Sequence, residues 1–385
     1  MLEYFPNEPV WNFSLALALL AGGNIHEIDG VIGPLRELPD RKTAEAQEAW
    51  AQKWSLLGQR LEGLAQRDEA DGNLLSAGRK YLTAAAYYLI AERQISRLSP
   101  ERLEIYKKML DCFRRGIALD RAPVEFVEIP YKETSLPALF IPAAASGPVP
   151  CMIHFDGADG VKELIYFVVK NAYRRRGISL LIVDHPGVGE ALRLRGLHTG
   201  PDTEVPAGAC VDYLETRPDV DPERIGIVAL SLGGYYAPRA AAFEKRLKCC
   251  VAWGAAWDFS IVVEKLAEEL KDDSVFNFQF AWITGQDTLE DTLRVARQMT
   301  LEGIADKITC PLLVVHGEKD RLLPVAIAKK TIDEAVNSPI RTLKIFTAAE
   351  GGVEHCQADD GQIVTEYISD WVAGILGGDR SGVGT

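Results

Sequence analysis

The sequence predicts an α/β protein: a mostly parallel sheet flanked by helices, with a helical N-terminal domain and a small cap insertion. Three observations predict it. Up to about residue 120 the apolar residues recur at helical spacing. Beyond Asp120, short continuous apolar runs alternate with helical patterns, the mark of parallel strands buried on both faces. Between residues 259 and 305 that alternation breaks, as an insertion between two strands would make it. The expected division is a helical, cap-like domain over 1–122, an α/β domain over 123–376 with its insertion at about 259–305, and a flexible tail over 377–385.

Within the first part, Trp50, Trp54, Leu57, Leu61 and Leu64 are spaced 4, 3, 4 and 3 apart and share one helix face. Ser99 and Pro100 read as an N-cap followed by Pro at the first helical position. The stripe Leu103, Tyr106, Leu110 and Phe113 follows. Residues 81–91, rich in Ala and Tyr, suit close helix packing. No period repeats clearly, so a partner-binding solenoid is the lesser reading.

After residue 120 the runs 124–130 and 136–141 read as two strands joined by a polar turn, Lys132-Glu133-Thr134. Six further strands are expected at 151–155, 180–183, 225–230, 249–253, 312–315 and 343–346. The insertion carries a charged, helix-like segment, 264–272, and then an aromatic run, 276–282.

Composition narrows the function classes. Hydrophobic residues make up 47% and charged residues 25%, which excludes a disordered or disulfide-scaffold chain. Against 55 acidic residues stand 42 basic ones, a net charge of −13. Such acidity argues against nucleic-acid and anionic-membrane partners, both of which are bound mainly through Lys and Arg. The apolar stretch 13–21 is too short to cross a bilayer, which takes about 20 residues. Glu3 and Glu8 stand where a signal peptide would be basic, so a cytoplasmic location is expected. The cysteine count is odd, and Cys151, Cys249, Cys250 and Cys310 fall within apolar runs, as buried free thiols do. No cysteine or histidine spacing suggests a metal, and the G-x-G at Gly187 lacks the third glycine of a dinucleotide fingerprint. No cofactor is expected.

The chemistry centres on residues 224–234. A predicted strand runs into Ser231 between small residues, Ala229 before it and Gly233-Gly234 after it, and a helical pattern starts at once. A tight strand-to-helix turn of this kind lifts a serine hydroxyl clear of the sheet. That hydroxyl needs a base, and the base needs a carboxylate to fix its tautomer. Only two of the six histidines, His316 and His355, follow Ser231. His316 ends a buried strand and reads as structural. His355 sits in a Gly-containing loop after the last strand, where an imidazole reaches across the sheet edge. Asp320, beyond the Gly317 turn, is the expected acid, with Glu318 as competitor. Backbone N–H groups for an oxyanion are expected from Leu232 and from Gly157 or Ala158 in the loop after the strand 151–155.

Ser231, Asp320, His355 and the Asp156–Gly160 loop together resemble the α/β-hydrolase superfamily over residues 123–376. The helical domain joined to Ser231-Leu232-Gly233-Gly234-Tyr235-Tyr236 resembles one subgroup. It holds 2,6-dihydroxypseudooxynicotine hydrolase, fungal polyketide-shortening hydrolases and fermentation–respiration switch esterases. Ala229 and Asp156 depart from the usual pattern, which has Gly at both places. The resemblance implies attack of Ser231 on a ketone or ester carbonyl and cleavage of a carbon–carbon bond beside a ketone, through an acyl-enzyme. A carboxylesterase or lactonase acting on small aromatic esters is the alternative, and an inactive hydrolase-fold binding protein a second. Asp258 or Glu264 is expected as an accessory acid, against a helix cap and a solvated residue respectively. Trp253, Trp257, Phe280 and Trp282 are expected to line an apolar pocket, so the partner is a small aromatic ketone or ester. Self-association as a homodimer is left open.

Overall fold

The computed structural model describes residues 3–38, 40, 41, 43–269 and 275–381. The chain divides into two compact units, Met1–Pro123 with Asp273–Phe278, and Val124–Asp272 with Gln279–Thr385.

The first unit is helical: α1 Pro9–Leu20, α2 Ile25–Ile32, α3 Ala44–Ala70, α4 Leu74–Glu92 and α5 Pro100–Asp120. Thr43 caps α3 by accepting the Ala46 N–H at 3.2 Å, and Pro100 opens α5 after Ser99. Trp50, Trp54, Leu57 and Leu61 are buried as their spacing requires, but Ala65, not Leu64, takes the next buried place. A step of 4 after Leu61 keeps the stripe in phase with the helical repeat. Trp11, Trp50, Trp54 and Tyr87 form an aromatic chain with successive centroids 4.5, 5.4 and 5.7 Å apart. Packed between α3 and α5, α4 is buried continuously from Ala84 to Glu92, which is why the segment reads as Ala- and Tyr-rich. Glu92 is fully buried and pairs with Arg102 at 2.5 Å.

The second unit is built on an eight-stranded sheet. Its strands are β1 Glu125–Tyr131, β2 Thr134–Ile141, β3 Val149–Phe155, β4 Ser179–Val183, β5 Val220–Leu230, β6 Cys249–Trp253, β7 Leu312–Gly317 and β8 Arg341–Phe346. They lie in the order β1-β2-β4-β3-β5-β6-β7-β8. β1 and β2 form an antiparallel hairpin whose turn holds Lys132 at φ 50°, β2 pairs antiparallel with β4, and every other pairing is parallel. β3, β4, β6 and β7 are buried at every position, and β5 is buried from Ile225 to Ala229. Register aligns their C-terminal ends: Phe155 opposite Ala229, Leu230 opposite Trp253, and Trp253 opposite Val315. Ligands bind open α/β sheets at this edge.

Nine further α-helices are described: α6 Lys162–Val169, α7 Gly189–Arg193, α8 Glu204–Glu215, α9 Gly233–Phe243, α10 Phe259–Glu269, α11 Val275–Thr284, α12 Leu289–Ala296, α13 Val325–Glu334 and α14 Gly361–Leu376. α10 to α12 form the insertion between β6 and β7. Its base is closed by the Asp258–Thr300 bridge and by Leu301 N–H donating to the Trp257 carbonyl at 2.9 Å. The charged segment belongs to a helix that starts earlier than expected, at Phe259, and residues 270–272 lie outside the described residues. The start of the expected flexible tail is instead tied down: Gly378 N–H donates to Ala373 O, and Asp379 N–H to Arg176 O at 2.8 Å. Residues 382–385 lie outside the described residues. All seven cysteines are free, and all but Cys356 are buried. No described helix is long and apolar enough to cross a membrane.

Candidate active site

β5 delivers Ser231 to a turn in which it adopts φ 62°, and α9 begins two residues later. This left-handed geometry costs a non-glycine residue about 1–3 kcal/mol. Two hydrogen bonds hold it: Ser231 N–H donates to the Trp253 carbonyl, and Gly234 N–H to the Ser231 carbonyl, each at 2.8 Å. A side chain at Gly234 would strike the Gly254 carbonyl, and one at Gly233 would come within 2.5 Å of the Ala229 methyl. The methyl of Ala229, where the motif usually has Gly, is thus accommodated by a bare Cα.

The loop after β8 brings His355 over Ser231. Nε2 lies 2.8 Å from Ser231 Oγ, and Nδ1 lies 2.8 Å from Asp320 Oδ2. Asp320 follows β7, its side chain is almost completely buried, and its Oδ1 accepts the Leu322 and Leu323 N–H groups, each at 2.9 Å. Burial alone would raise its pKa, but the bonds from His355 and Leu323 N–H carry it below the ordinary carboxylate value. At His355 burial disfavours the cation, yet the Cys356 sulfur and the Asp320 carboxylate outweigh it and hold the imidazole well above its usual 6.5. The competitor Glu318 is exposed and accepts the Ala348 N–H at 2.7 Å. His316 is buried and donates from Nε2 to the Leu323 carbonyl at 2.7 Å, so it braces the turn that carries Asp320.

Of the oxyanion donors expected, the Leu232 and Ala158 amides have no acceptor among the described residues. The Gly157 N–H, by contrast, is taken by the Asp156 carboxylate at 2.7 Å, which removes it as a donor. Asp156 also accepts the Val161 N–H at 3.1 Å, folding the loop back on itself, and a β-carbon at Gly160 would collide with that carboxylate. The Asp156 departure is therefore paired with Gly160. Gly157 lies so close to the elbow that a β-carbon there would fall 2.7 Å from Ser231 Cβ. His185 Nε2 meets the Asp156 carbonyl at 3.1 Å, and the buried side chain of Arg193 pairs with buried Asp159 at 2.5 Å.

Asp258 and Glu264, expected as accessory acids, each have another partner. Asp258 accepts the Ser260 N–H at 2.9 Å and the Ser260 hydroxyl at 2.6 Å, capping the start of α10. Glu264 is exposed and pairs with Arg297 at 3.0 Å. Of the expected pocket residues, Trp257 lies under the Lys330 ammonium, 4.2 Å from the ring centre, and Phe280 packs edge-on against Phe259 at 5.1 Å. Trp253 is 3% exposed, and its indole N–H donates to Gln357 Oε1. Half-buried Trp282 stacks over the Arg193 guanidinium, which links it to the oxyanion loop. The side chains of Phe276 and Phe278 lie outside the described residues. Two surface clefts of about 420 and 380 Å³ contain none of Ser231, Asp320 or His355. Sequence reasoning missed Cys356 and Gln357, which sit directly after His355, with Cys356 Sγ 3.6 Å from His355 Nε2.

A mostly parallel sheet bearing a serine elbow, with an imidazole and a carboxylate presented from two later loops, defines an α/β-hydrolase. The chain belongs to the FrsA-like esterase family, whose model matches residues 39–274; the prolyl oligopeptidase family model matches residues 187–377. It is 29% identical to a 20-hydroxy-prefusarin hydrolase of Gibberella moniliformis, over 84% of this chain and 87% of that one. To an α/β-hydrolase, gkaG, of Penicillium citrinum it is 27% identical, over 80% and 82%. The crystal structure of 2,6-dihydroxy-pseudo-oxynicotine hydrolase superimposes with a TM-score of 0.76 at 25% identity, covering 96% of this chain and 97% of that one. The protein is a hydrolase.

Proposed function

We propose that the protein is a serine hydrolase that cleaves a carbon–carbon bond beside a ketone in an aromatic or 1,3-diketone-like small molecule. The observation that carries the nucleophile assignment is the pair of 2.8 Å contacts from His355 to Ser231 and Asp320. Ser231 Oγ attacks the ketone carbon while His355 Nε2 takes the hydroxyl proton, and the oxyanion is met by the Leu232 and Ala158 amides. As the carbonyl re-forms, the carbon–carbon bond breaks and its electron pair leaves on the departing carbon as an enolate or carbanion. That carbon takes the proton held on His355 Nε2. Water, deprotonated by His355, then attacks the acyl carbon, Ser231 leaves with the returned proton, and a carboxylic acid is released. With Asp258 and Glu264 engaged elsewhere, His355 is the acid for the leaving group. Setting is taken as the cytoplasm, with no cofactor.

The carbon–carbon reading is supported by the near full-length likeness to 2,6-dihydroxy-pseudo-oxynicotine hydrolase. The match to the FrsA-like esterase model favours a second reading, a carboxylesterase or lactonase acting on small aromatic esters. Matched aryl 1,3-diketones and aryl esters, with products identified by mass spectrometry, separate the two. Diketone cleavage to an acid and a methyl ketone is expected, whereas ester turnover with every diketone intact would replace the first reading with the second.

A further inference from the structure

We infer that Trp253, Cys356 and Gln357 form a clasp that holds His355 in register with Ser231, which makes Trp253 a positioning residue and not a wall of the substrate pocket. The inference rests on the reading of Ser231 as nucleophile and His355 as base. Trp253 ends β6 directly opposite Leu230, the residue before the nucleophile. Its carbonyl accepts the Ser231 N–H at 2.8 Å and also lies 3.5 Å from Cys356 Sγ, which donates its S–H. Its indole N–H donates to Gln357 Oε1 at 2.8 Å. One residue thus ties the backbone of the nucleophile to both residues that follow the base.

The backbone of those two residues shows why a tie is needed. Cys356 and Gln357 adopt φ 49° and 51°, two consecutive non-glycine residues in left-handed geometry. Such a conformation is strained for a residue with a side chain and persists only where surrounding contacts hold it. The double kink reverses the loop immediately after His355. The bonds to Trp253 hold it from within, and Asp359 holds the near side by accepting the Val353 and Glu354 N–H groups at 3.0 and 2.9 Å. Gln357 is fully buried and Trp253 3% exposed, so water does not compete for the bond between them. An indole N–H is a donor only, which makes the Gln357 carbonyl oxygen the atom that serves it.

The test compares kcat, KM and melting temperature on an aryl ester for wild type, Ser231→Ala, Gln357→Met, Gln357→Glu and Trp253→Phe. Gln357→Met removes the acceptor at nearly constant volume, and Gln357→Glu restores one. Because a small misplacement of a catalytic group costs up to about 100-fold, kcat should fall about 10- to 100-fold in Gln357→Met and Trp253→Phe, with KM changed less than about twofold. Gln357→Glu should recover much of the loss. Unchanged kcat in folded Gln357→Met, or a raised KM with intact kcat in Trp253→Phe, would overturn the clasp; the second result would return Trp253 to the pocket. If Gln357→Met does not fold, Cys356→Ala carries the test: a lower kcat at unchanged melting temperature supports the clasp, and wild-type kcat overturns it. Activity in Ser231→Ala would instead remove the nucleophile assignment itself.

Discussion

At His355 burial works against the imidazolium, while the Cys356 sulfur and the Asp320 carboxylate work for it and prevail. On the proposed mechanism His355 must be neutral to take the Ser231 proton, so activity should be lost as pH falls through the folded-state value. Because that value is raised, the acid limb of kcat/KM should lie above the ordinary 6.5. Asp320→Asn removes the carboxylate; the limb should move to lower pH, and kcat should fall on the order of 10⁴-fold. A pH–rate profile of both proteins checks this, and an unmoved limb would assign it to another group. In the oxyanion loop, Gly160→Ala should push the Asp156 carboxylate out of place and lower kcat with little change in KM, which steady-state kinetics would reveal. Ser231, Asp320 and His355 were legible in the sequence because the elbow demands small neighbours and the fold fixes the chain order of the three. Cys356 and Gln357 were not, since neither Cys nor Gln, unlike Gly or Asn, announces left-handed backbone. Asp258 did carry a signal, as a carboxylate just before a helix with Ser two residues on, and its capping role is the one that signal describes.

Among the elements, α6 shows how a buried charge cluster anchors the loop before it. The Lys162 ammonium, 1% exposed, lies 2.8 Å from Glu163, 2.8 Å from Asp184 and 2.6 Å from Glu190. Asp184 also accepts the Lys162 N–H at 2.9 Å and the Glu190 N–H at 2.8 Å, joining the end of β4 to the starts of α6 and α7. With three carboxylates around one ammonium, burial raises the Glu163 carboxyl to about 7. Lys162→Met leaves those carboxylates without their cation and should lower stability by about 3–5 kcal/mol, measured by urea unfolding at neutral pH. Destabilisation under about 1 kcal/mol would mean the carboxylates are already served by other groups or protonated at little cost. β3, β4, β6 and β7 were legible because buried parallel strands read as unbroken apolar runs, and the antiparallel β1–β2 hairpin because a polar turn separates its two runs; the exposed start of β5, before Ile225, escaped. What also escaped was how the aromatic residues in and just before the insertion point: composition does not distinguish Trp257 under Lys330, or Phe280 against Phe259, from a ring facing a substrate.

Over the whole α/β unit, the parallel register collects Ser231 after β5, Asp320 after β7 and His355 after β8 at one edge of the sheet, so the site exists only when the sheet is complete. Serine reactivity should therefore vanish on unfolding and return on refolding. The most direct measurement is intact-mass and peptide mapping of the protein after exposure to a fluorophosphonate. One adduct on Ser231 is expected in the folded wild type, none in Ser231→Ala, and much slower labelling in His355→Ala. Equal labelling of wild type and Ser231→Ala would contradict Ser231 as the nucleophile.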